Sequence, residues 1–299
     1  MTNNLTPDSA CRTFFSNDIH FASFSNAVLF DGKQLIHPER LVRYENDTSF
    51  IINDTKTVED EKRRRDIVVK TDVNGIYCLF GIEHQSSIDQ EMVIRCGNYE
   101  MVEYLKQLKN KKLKRLVPQV MIVFYTGDKK WNAPVKLSDY LDVPKELKAY
   151  VNEWRFIFID VKEIDTSKIK DAQTRYFIEA IQNMYKGNYD KLHRRIKMNR
   201  NNFIYAAIIT GSIDLIKDLP EGDEIDMCEG MERMAEGFRS EGKLEEKRST
   251  LKEQLIIKLG AVSSRLEEQL TNASLEKLNV LTRNIFDITS EEDVLRIIH

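Results

Sequence analysis

The 299-residue sequence lacks the features that mark membrane and exported proteins. No apolar run approaches the roughly 18 residues that a membrane-spanning helix requires. The opening residues, MTNNLTPDSA, contain neither the basic nor the apolar segment of a signal peptide. With 41% hydrophobic and 31% charged residues, the composition is typical of a soluble globular protein, and the cytoplasm is the expected location.

Cysteines are few and lack the spacing of a disulfide or zinc motif. The four are Cys11, Cys78, Cys96 and Cys228. They include no CxxC pair, so reduced thiols are expected. The sequence also contains no glycine-rich phosphate loop and no nucleophile elbow, so kinases, hydrolases that use such an elbow and zinc fingers find no support.

An excess of positive charge is also missing, since the formal net charge is -3. Any contact with nucleic acid must therefore come from local basic patches. Basic clusters occur at residues 62–65, 106–115 and 191–200. A charge run is usually a solvated face. The first cluster, which contains Arg63, Arg64 and Arg65, is nevertheless well placed beside an acidic residue to neutralise phosphates.

The N-terminal half alternates helix and strand signals. Apolar residues at roughly helical spacing predict one helix from about residue 13 to 30. A hairpin follows, and then a helix with Met92, Cys96, Tyr99 and Leu105 on roughly one side. Apolar runs at 117–125 and 155–161 predict strands covered on both faces. This order predicts an α/β domain over residues 1–165, a mixed sheet flanked by helices.

Strand signals disappear in the C-terminal half. Residues 166–226 are predicted to form a helical extension. Residues 227–299 are predicted to form a charged helical region, in which three glycines interrupt an otherwise strong helix former. The three are Gly230, Gly237 and Gly242. We expect this last region to serve protein interaction, including homo-oligomer formation through its helices.

The hairpin is the most informative pattern in the chain. Two apolar runs, each with a carboxylate, are joined by Asn74-Gly75, the strongest short signal for a two-residue turn. With this turn, Asp66 faces Glu83 across the hairpin. Opposed Cβ atoms lie about 4.5 to 5.5 Å apart, so like charges there destabilise the sheet unless something compensates. A divalent cation would compensate, and oxygen ligands suit Mg²⁺, Mn²⁺ or Ca²⁺.

Alternation along the second strand predicts which neighbours share the carboxylate face. Gln85 points to the same side as Glu83. His84 points to the other side, which favours a core or surface histidine over a general base. Gly81, opposite Val68 in this register, predicts an open space beneath the carboxylates for a ligand or a closely approaching backbone, although a bulge is equally allowed.

This arrangement suits phosphate chemistry. A metal ion held by Asp66 and Glu83 could polarise a phosphodiester oxygen and lower the pKa of a bound water, and Gln85 could orient that water. Taken singly, each residue has a simpler interpretation. Asp66 could end a solvated charge run, and Glu83 with Gln85 could form the polar end of a strand.

These residues resemble the PD-(D/E)XK nuclease signature, an Asp on one strand followed by Glu-x-Lys on the next, with Gln85 at the lysine position. More narrowly, the chain resembles the Rpn family of recombination-promoting nucleases, which are also labelled transposases. The resemblance lies in RRRDIVVK, GIEHQSSID, MVIRCGNYEMVEYLKQL, PQVMIVFYTGDKKWNAPVKLSDYL and GMERMAEGFRSEG. It covers most of the chain and is strongest from about residue 60 to 145. The usual pattern of the family itself carries Glu-x-Gln.

The resemblance implies a restriction-endonuclease-like core and Mg²⁺-dependent (or Mn²⁺- or Ca²⁺-dependent) DNA cleavage with little or no sequence specificity, linked to recombination or to defence against mobile elements and phage. The matching catalytic positions are Asp66, Glu83 and Gln85. Arg95 and Tyr99 also match the family and lie four residues apart on one helical face. They either anchor the helix to the sheet, or Arg95 contacts DNA phosphate.

One position departs from the relatives. Members often carry an acid on the first helix, in a phrase like FADLFN, where this chain has Ser23 in FASFSN. Two other functions stay open, the first supported by this departure and the second by the helical C-terminal third. One is a catalytically silent DNA-binding protein that assists recombination, and the other is a protein-interaction component of a defence system.

Overall fold

A computed structural model describes the chain over residues 5–43, 67–110, 113–217 and 219–298. Four of the predicted site residues lie outside these ranges: Arg63, Arg64, Arg65 and Asp66. The pairing predicted for Asp66 and the phosphate contacts predicted for the three arginines therefore stay predictions. By contacts the chain forms two compact units, residues 1–229 and 230–299.

The first unit is built on a five-stranded mixed sheet. Its strands, in spatial order, are β1 (Val42–Arg43), β2 (Ile67–Val73), β3 (Ile76–Gln85), β4 (Gln119–Tyr125) and β5 (Ile157–Asp160). The pairs β1–β2 and β2–β3 are antiparallel, whereas β3–β4 and β4–β5 are parallel. The carboxyl ends of β3, β4 and β5 consequently share one edge of the sheet. The predicted α/β class with a mixed sheet is confirmed.

The described helices of this unit are α1 (Pro7–Phe15), α2 (Asp18–Phe30), α3 (Met92–Lys109), α4 (Leu137–Tyr140), α5 (Ala172–Tyr185) and α6 (Arg200–Thr210). The single helix predicted for residues 13–30 is wrong, because the chain turns between α1 and α2. Asn17 begins the second helix by accepting the N–H groups of Ile19 and His20, as an N-cap asparagine does.

Two short strands also occur where none was predicted. They are β6 (Lys197–Asn199) and β7 (Glu224–Asp226), which pair antiparallel. Each has only three residues, too few to show an alternating pattern in the sequence.

Helices cover the two faces of the large sheet differently. On one face, Phe15 of α1 and Phe24 of α2 pack edge-on against Phe124 of β4. On the other face, α3 packs through Met92 and Cys96 onto the sheet. Leu105, which was predicted to share that inner side, instead faces outward with 42% of its surface exposed.

The hairpin forms with the predicted turn and register. Asn74 and Gly75 have φ values of 52° and 80°, the left-handed conformation that a type I′ hairpin turn requires of both residues. The paired residues run from Val73–Ile76 at the turn to Ile67–Ile82 at the far end, all in the predicted register. The pair Ile67–Ile82 is the last one that the described residues contain.

The second unit is helical. Its helices are α7 (Met227–Leu259, which begins in the first unit), α8 (Ser264–Asn272), α9 (Leu275–Arg283) and α10 (Glu291–Ile298). Buried leucines such as Leu251, Leu266 and Leu278 form its core. The expected interruption of α7 at its glycines is wrong. A glycine costs a helix about 1 kcal/mol relative to alanine, which strong neighbouring helix formers offset.

The predicted domain boundaries at 165 and 226 stay predictions. Within the described residues, the structure contains no helix that is both long enough and apolar enough to cross a membrane.

Candidate functional site

The carboxylate of Glu83 lies near the end of β3, under α3, with only 3% of the residue exposed. Arg95 of α3 donates from Nη2 to Glu83 Oε1 at 2.7 Å and from Nη1 to Asp89 Oδ2 at 2.6 Å. Asp89 also accepts the N–H of Glu91 through Oδ1 at 2.9 Å, at the entry to the helix. One guanidinium therefore joins a strand carboxylate to the loop that leads into α3.

The charges in this group support one another. Burial alone would lower the pKa of Arg95, but its neighbours Tyr99, Asp89 and Glu83 together raise it, so Arg95 remains charged. Burial raises the pKa of Tyr99, and the nearby charge of Glu83 raises it further, so Tyr99 stays a neutral phenol. Two carboxylates, those of Glu83 and Asp89, thus share the single cation of Arg95.

Arg95 was predicted either to anchor α3 to the sheet or to contact DNA phosphate. The structure shows the anchoring contact, because Arg95 links α3 to Glu83 of β3. Both terminal nitrogens of the guanidinium already have carboxylate partners. A phosphate contact by Arg95 stays a prediction.

The space predicted beside Gly81 is filled. A Cβ atom at this position would lie 2.6 Å from Sδ of Met121, which extends from the neighbouring strand β4. The glycine is needed because a larger side chain packs over it from the next strand. The expectation of an open space beneath the carboxylates is therefore wrong, and Met121 forms the floor of the site.

Gln85 is the last residue of β3 and is half-buried. It pairs with Tyr125 of β4, and its carbonyl accepts the N–H of Thr126 at 2.9 Å. Strand alternation places it on the face of Glu83, nearer the edge of the sheet. That edge is where the carboxyl ends of three parallel strands meet.

His84 lies on the opposite face, as predicted from alternation. Its Nδ1 is 2.6 Å from Oδ1 of Asp8 in α1, and its Nε2 is 2.7 Å from Oγ1 of Thr126. Both ring nitrogens are engaged, and the side chain is only 1% exposed. His84 is a core histidine with polar partners that hold the end of β3 against α1.

Ser23 has a structural contact of its own. This buried serine accepts the backbone N–H of Asp171 through Oγ at 3.0 Å. Burial alone would raise the pKa of Asp171, but hydrogen bonds with His20 and Thr174 outweigh this effect and lower it to about 2. Ser23 therefore helps to fix the start of α5 against α2.

Two residues with contacts to the predicted site residues, Asp89 and Asp8, were not predicted from the sequence. Asp89 lies six residues before Arg95 and across a helix start, a spacing that no helical or strand periodicity relates. Asp8 and His84 are far apart in sequence, so only the packing of α1 on the sheet brings them together. The one signal in the sequence was a polar residue within a strand predicted to be buried, because a buried polar side chain requires a hydrogen-bond partner.

Carboxylate oxygens are suitable ligands for a hard cation, but only some of the predicted ligands lie in the part of the chain that the structure describes. Among the described residues, there is no group of three or more His, Cys, Asp or Glu side chains able to hold a metal ion. Glu83 supplies a carboxylate at the strand end, and the other predicted ligand, Asp66, precedes the described part of β2. One or two carboxylates are the usual protein ligands of Mg²⁺ at phosphate sites, so this donor chemistry fits that ion.

Comparison with known proteins identifies the family. No curated protein and no solved structure matches the chain significantly. Residues 46–202 match the family model Transposase_31, described as putative transposase, YhgA-like. This segment covers more than half of the chain and contains the hairpin, α3 and β4. It includes the positions of Asp66, Glu83 and Gln85. The chain belongs to this transposase-like family, the Rpn family, whose membership implies a DNA-related role.

Proposed function

We propose that this protein is a metal-dependent DNA endonuclease of low sequence specificity. Asp66 and Glu83 hold a Mg²⁺-type ion, and Gln85 positions the attacking water. The observation that carries the proposal is the hairpin register, in which Glu83 is the next residue after the last described pair, Ile67–Ile82. The predicted partner of Glu83 in that register is Asp66.

The connectivity supports a restriction-endonuclease-like core. A helix precedes three antiparallel strands, a further helix follows, and the next strand pairs in parallel with the third. Glu83 and Gln85 belong to β3, the central strand of this sheet, and Asp66 is predicted to face Glu83 from the neighbouring strand. Family membership adds the DNA-related role.

The bound ion would lower the pKa of a water and polarise the scissile phosphate. The side chains of this chain supply the positioning. Gln85 accepts a hydrogen bond from the water through Oε1 and fixes its direction of approach, because its strand end is held by the Thr126 N–H. Arg95 pairs with the buried Glu83 carboxylate at 2.7 Å and restricts its rotation. Arg63, Arg64 and Arg65, which directly precede Asp66 in the sequence, contact the DNA backbone.

The direct test is nicking of supercoiled plasmid DNA by the purified full chain with Mg²⁺, Mn²⁺ or Ca²⁺. We expect cleavage with at least one of these ions and its loss in Asp66→Asn and in Glu83→Gln. Asp72→Asn is the matched control, because Asp72 also lies on β2 and its carboxylate forms an ion pair with Arg40 at the surface. This variant should cleave like the parent.

Two results would contradict the proposal. One is DNA binding without nicking under any of the three ions, which would favour the DNA-binding accessory role. The other is full cleavage by Asp66→Asn. Titration of Mn²⁺ into the parent and the two site variants separates loss of the ion from loss of a later step, since both ligand variants should weaken ion binding and Gln85→Ala should not.

A further inference from the structure

The side of α3 that faces away from the sheet carries an exposed, mainly apolar stripe. Its members are Ile94, Asn98, Met101, Leu105 and Leu108. The four apolar side chains are each at least 42% exposed, and Leu108 reaches 65%. We refer to these five residues as the α3 seam.

The spacing of the α3 seam is that of a coiled coil. Its members follow one another at steps of four, three, four and three residues, which assigns positions d, a, d, a and d of a heptad. The opposite side of the same helix already packs on the sheet through Met92, Cys96 and Tyr99. A helix that is apolar on both sides is typical of one that is covered on both sides.

We propose that the α3 seam is a self-association surface, on which α3 of a second copy of this chain packs in parallel. Asn98, the single polar member, favours a second copy of α3 as the partner helix. In a parallel pair, Asn98 at position a meets Asn98 of the partner, and an amide can both donate to and accept from its copy. Each apolar member then meets an apolar copy of itself.

Other arrangements satisfy Asn98 less well. An antiparallel pair would set Asn98 against Met101, and a partner with a continuous apolar groove would bury the amide without a hydrogen bond. Such burial costs about 1 to 3 kcal/mol in proteins. The α3 seam itself contains no charged residue, so self-pairing brings no like charges together at its centre.

The neighbouring surface extends the apolar contact. Gly97 lies beside the α3 seam, and the ring of Trp154 covers it so closely that a Cβ there would be 2.4 Å from a ring atom. Trp154 itself is 36% exposed. The 18-residue helix is about 27 Å long, which offers two heptads. This is short of a standard interface of about 800 Å² per partner, so we expect a reversible dimer.

The first test measures the mass of the full chain by sedimentation velocity across a range of concentrations. We expect a monomer–dimer equilibrium whose dissociation constant rises at least about tenfold in Leu105→Glu. Phe286→Glu is the matched control, because Phe286 is an apolar side chain of the second unit that is 89% exposed. Circular dichroism checks that both variants remain folded.

Two outcomes overturn the proposal: a parent chain that is monomeric at every concentration, or a dimer that is lost in Phe286→Glu and kept in Leu105→Glu. The second outcome would place self-association in the C-terminal helices.

The parallel orientation has its own test. Asn98→Cys should form an intermolecular disulfide under mild oxidation, because position a meets its own copy in a parallel pair. Ile76→Cys, an exposed position at the hairpin turn, should not. Failure of Asn98→Cys to cross-link in a chain that dimerises would overturn the parallel arrangement. None of these readouts depends on the proposed nuclease activity.

Discussion

Adjacent residues on the two faces of β3 have different kinds of contact. Glu83 points toward α3 and is held by a guanidinium that also binds a loop carboxylate. His84, the next residue, points toward α1, and its two ring nitrogens form hydrogen bonds with the Asp8 carboxylate and the Thr126 hydroxyl. The difference shows that strand alternation separates a candidate catalytic group from a structural one over a single residue.

The two faces also differ in the type of interaction that stabilises them. The α3 face depends on buried charge, for which removal of one partner leaves an uncompensated ion. The α1 face depends on hydrogen bonds within an aromatic core, for which removal of one partner leaves a polar atom without its bond. Four substitutions should separate these contributions, beginning with the largest.

Replacement of Arg95 should have the largest effect on stability. Arg95→Met leaves the 3%-exposed Glu83 without its cation, and we expect the free energy of unfolding to fall by about 3 kcal/mol, as for other broken buried pairs. Urea denaturation at neutral pH measures it. Arg40→Met is the control, since the Arg40–Asp72 pair is exposed and should contribute less than about 1 kcal/mol. Equal losses in the two variants would mean that Glu83 does not depend on Arg95.

Replacement of His84 should cost less. His84→Leu removes two hydrogen bonds but retains the apolar volume, and we expect a loss of about 1 to 3 kcal/mol from the unsatisfied Thr126 hydroxyl. The measurement is again urea denaturation. His37→Leu, at a side chain 41% exposed, provides the control and should change little. If His84→Leu destabilised more than Arg95→Met, the ranking of the two faces would be reversed.

The hairpin turn supports both faces and should affect them equally. Gly75→Ala forces alanine to a φ of 80°, with no atom within 4 Å of the added Cβ, so the cost is backbone strain of about 1 kcal/mol. The turn lies about 25 Å from the site at about 3.3 Å per strand residue. Double variants with Arg95→Met and with His84→Leu should therefore be additive within about 0.5 kcal/mol. A larger deviation would show that the turn couples to one face.

The sequence predicted what short-range physics determines. Asn74-Gly75 specified the turn, and the turn specified every observed pair of the hairpin, because a two-residue loop admits one register. Alternation then separated Glu83 from His84. The break at Asn17 was missed because apolar residues continue across it, although an N-cap asparagine was present.

The partners of the site residues could not be predicted in the same way. Tertiary packing brings Asp89 to the guanidinium of Arg95 and Asp8 to the ring of His84. No periodic pattern in the sequence indicates either contact. The space beside Gly81 depended on the side chain of a strand 40 residues away, Met121. Local rules assign a residue to a face, whereas the contents of that face depend on which other elements cover it.

The smallest effect should come from Asp8, the exposed end of the His84 contact. The hydrogen bond with His84 lowers the pKa of Asp8 below its usual 3.8. Because the folded pKa is lower than the unfolded one, this contact stabilises the protein fully above about pH 4, and the stabilisation is lost as the pH falls through the folded pKa. Solvent screens the 60%-exposed carboxylate, so the effect should be small.

Asp8→Asn should therefore lower the urea midpoint at pH 7 but differ less from the parent near pH 2. Denaturation of both proteins at the two pH values measures the change. Asp18→Asn, at a carboxylate paired with Arg43 on the surface, controls for the loss of one negative charge near α1. A gap between parent and Asp8→Asn that is the same at both pH values would show that the Asp8–His84 contact acts through shape alone. The α1 face would then contain no ionic contribution, and its contrast with the α3 face would be sharper still.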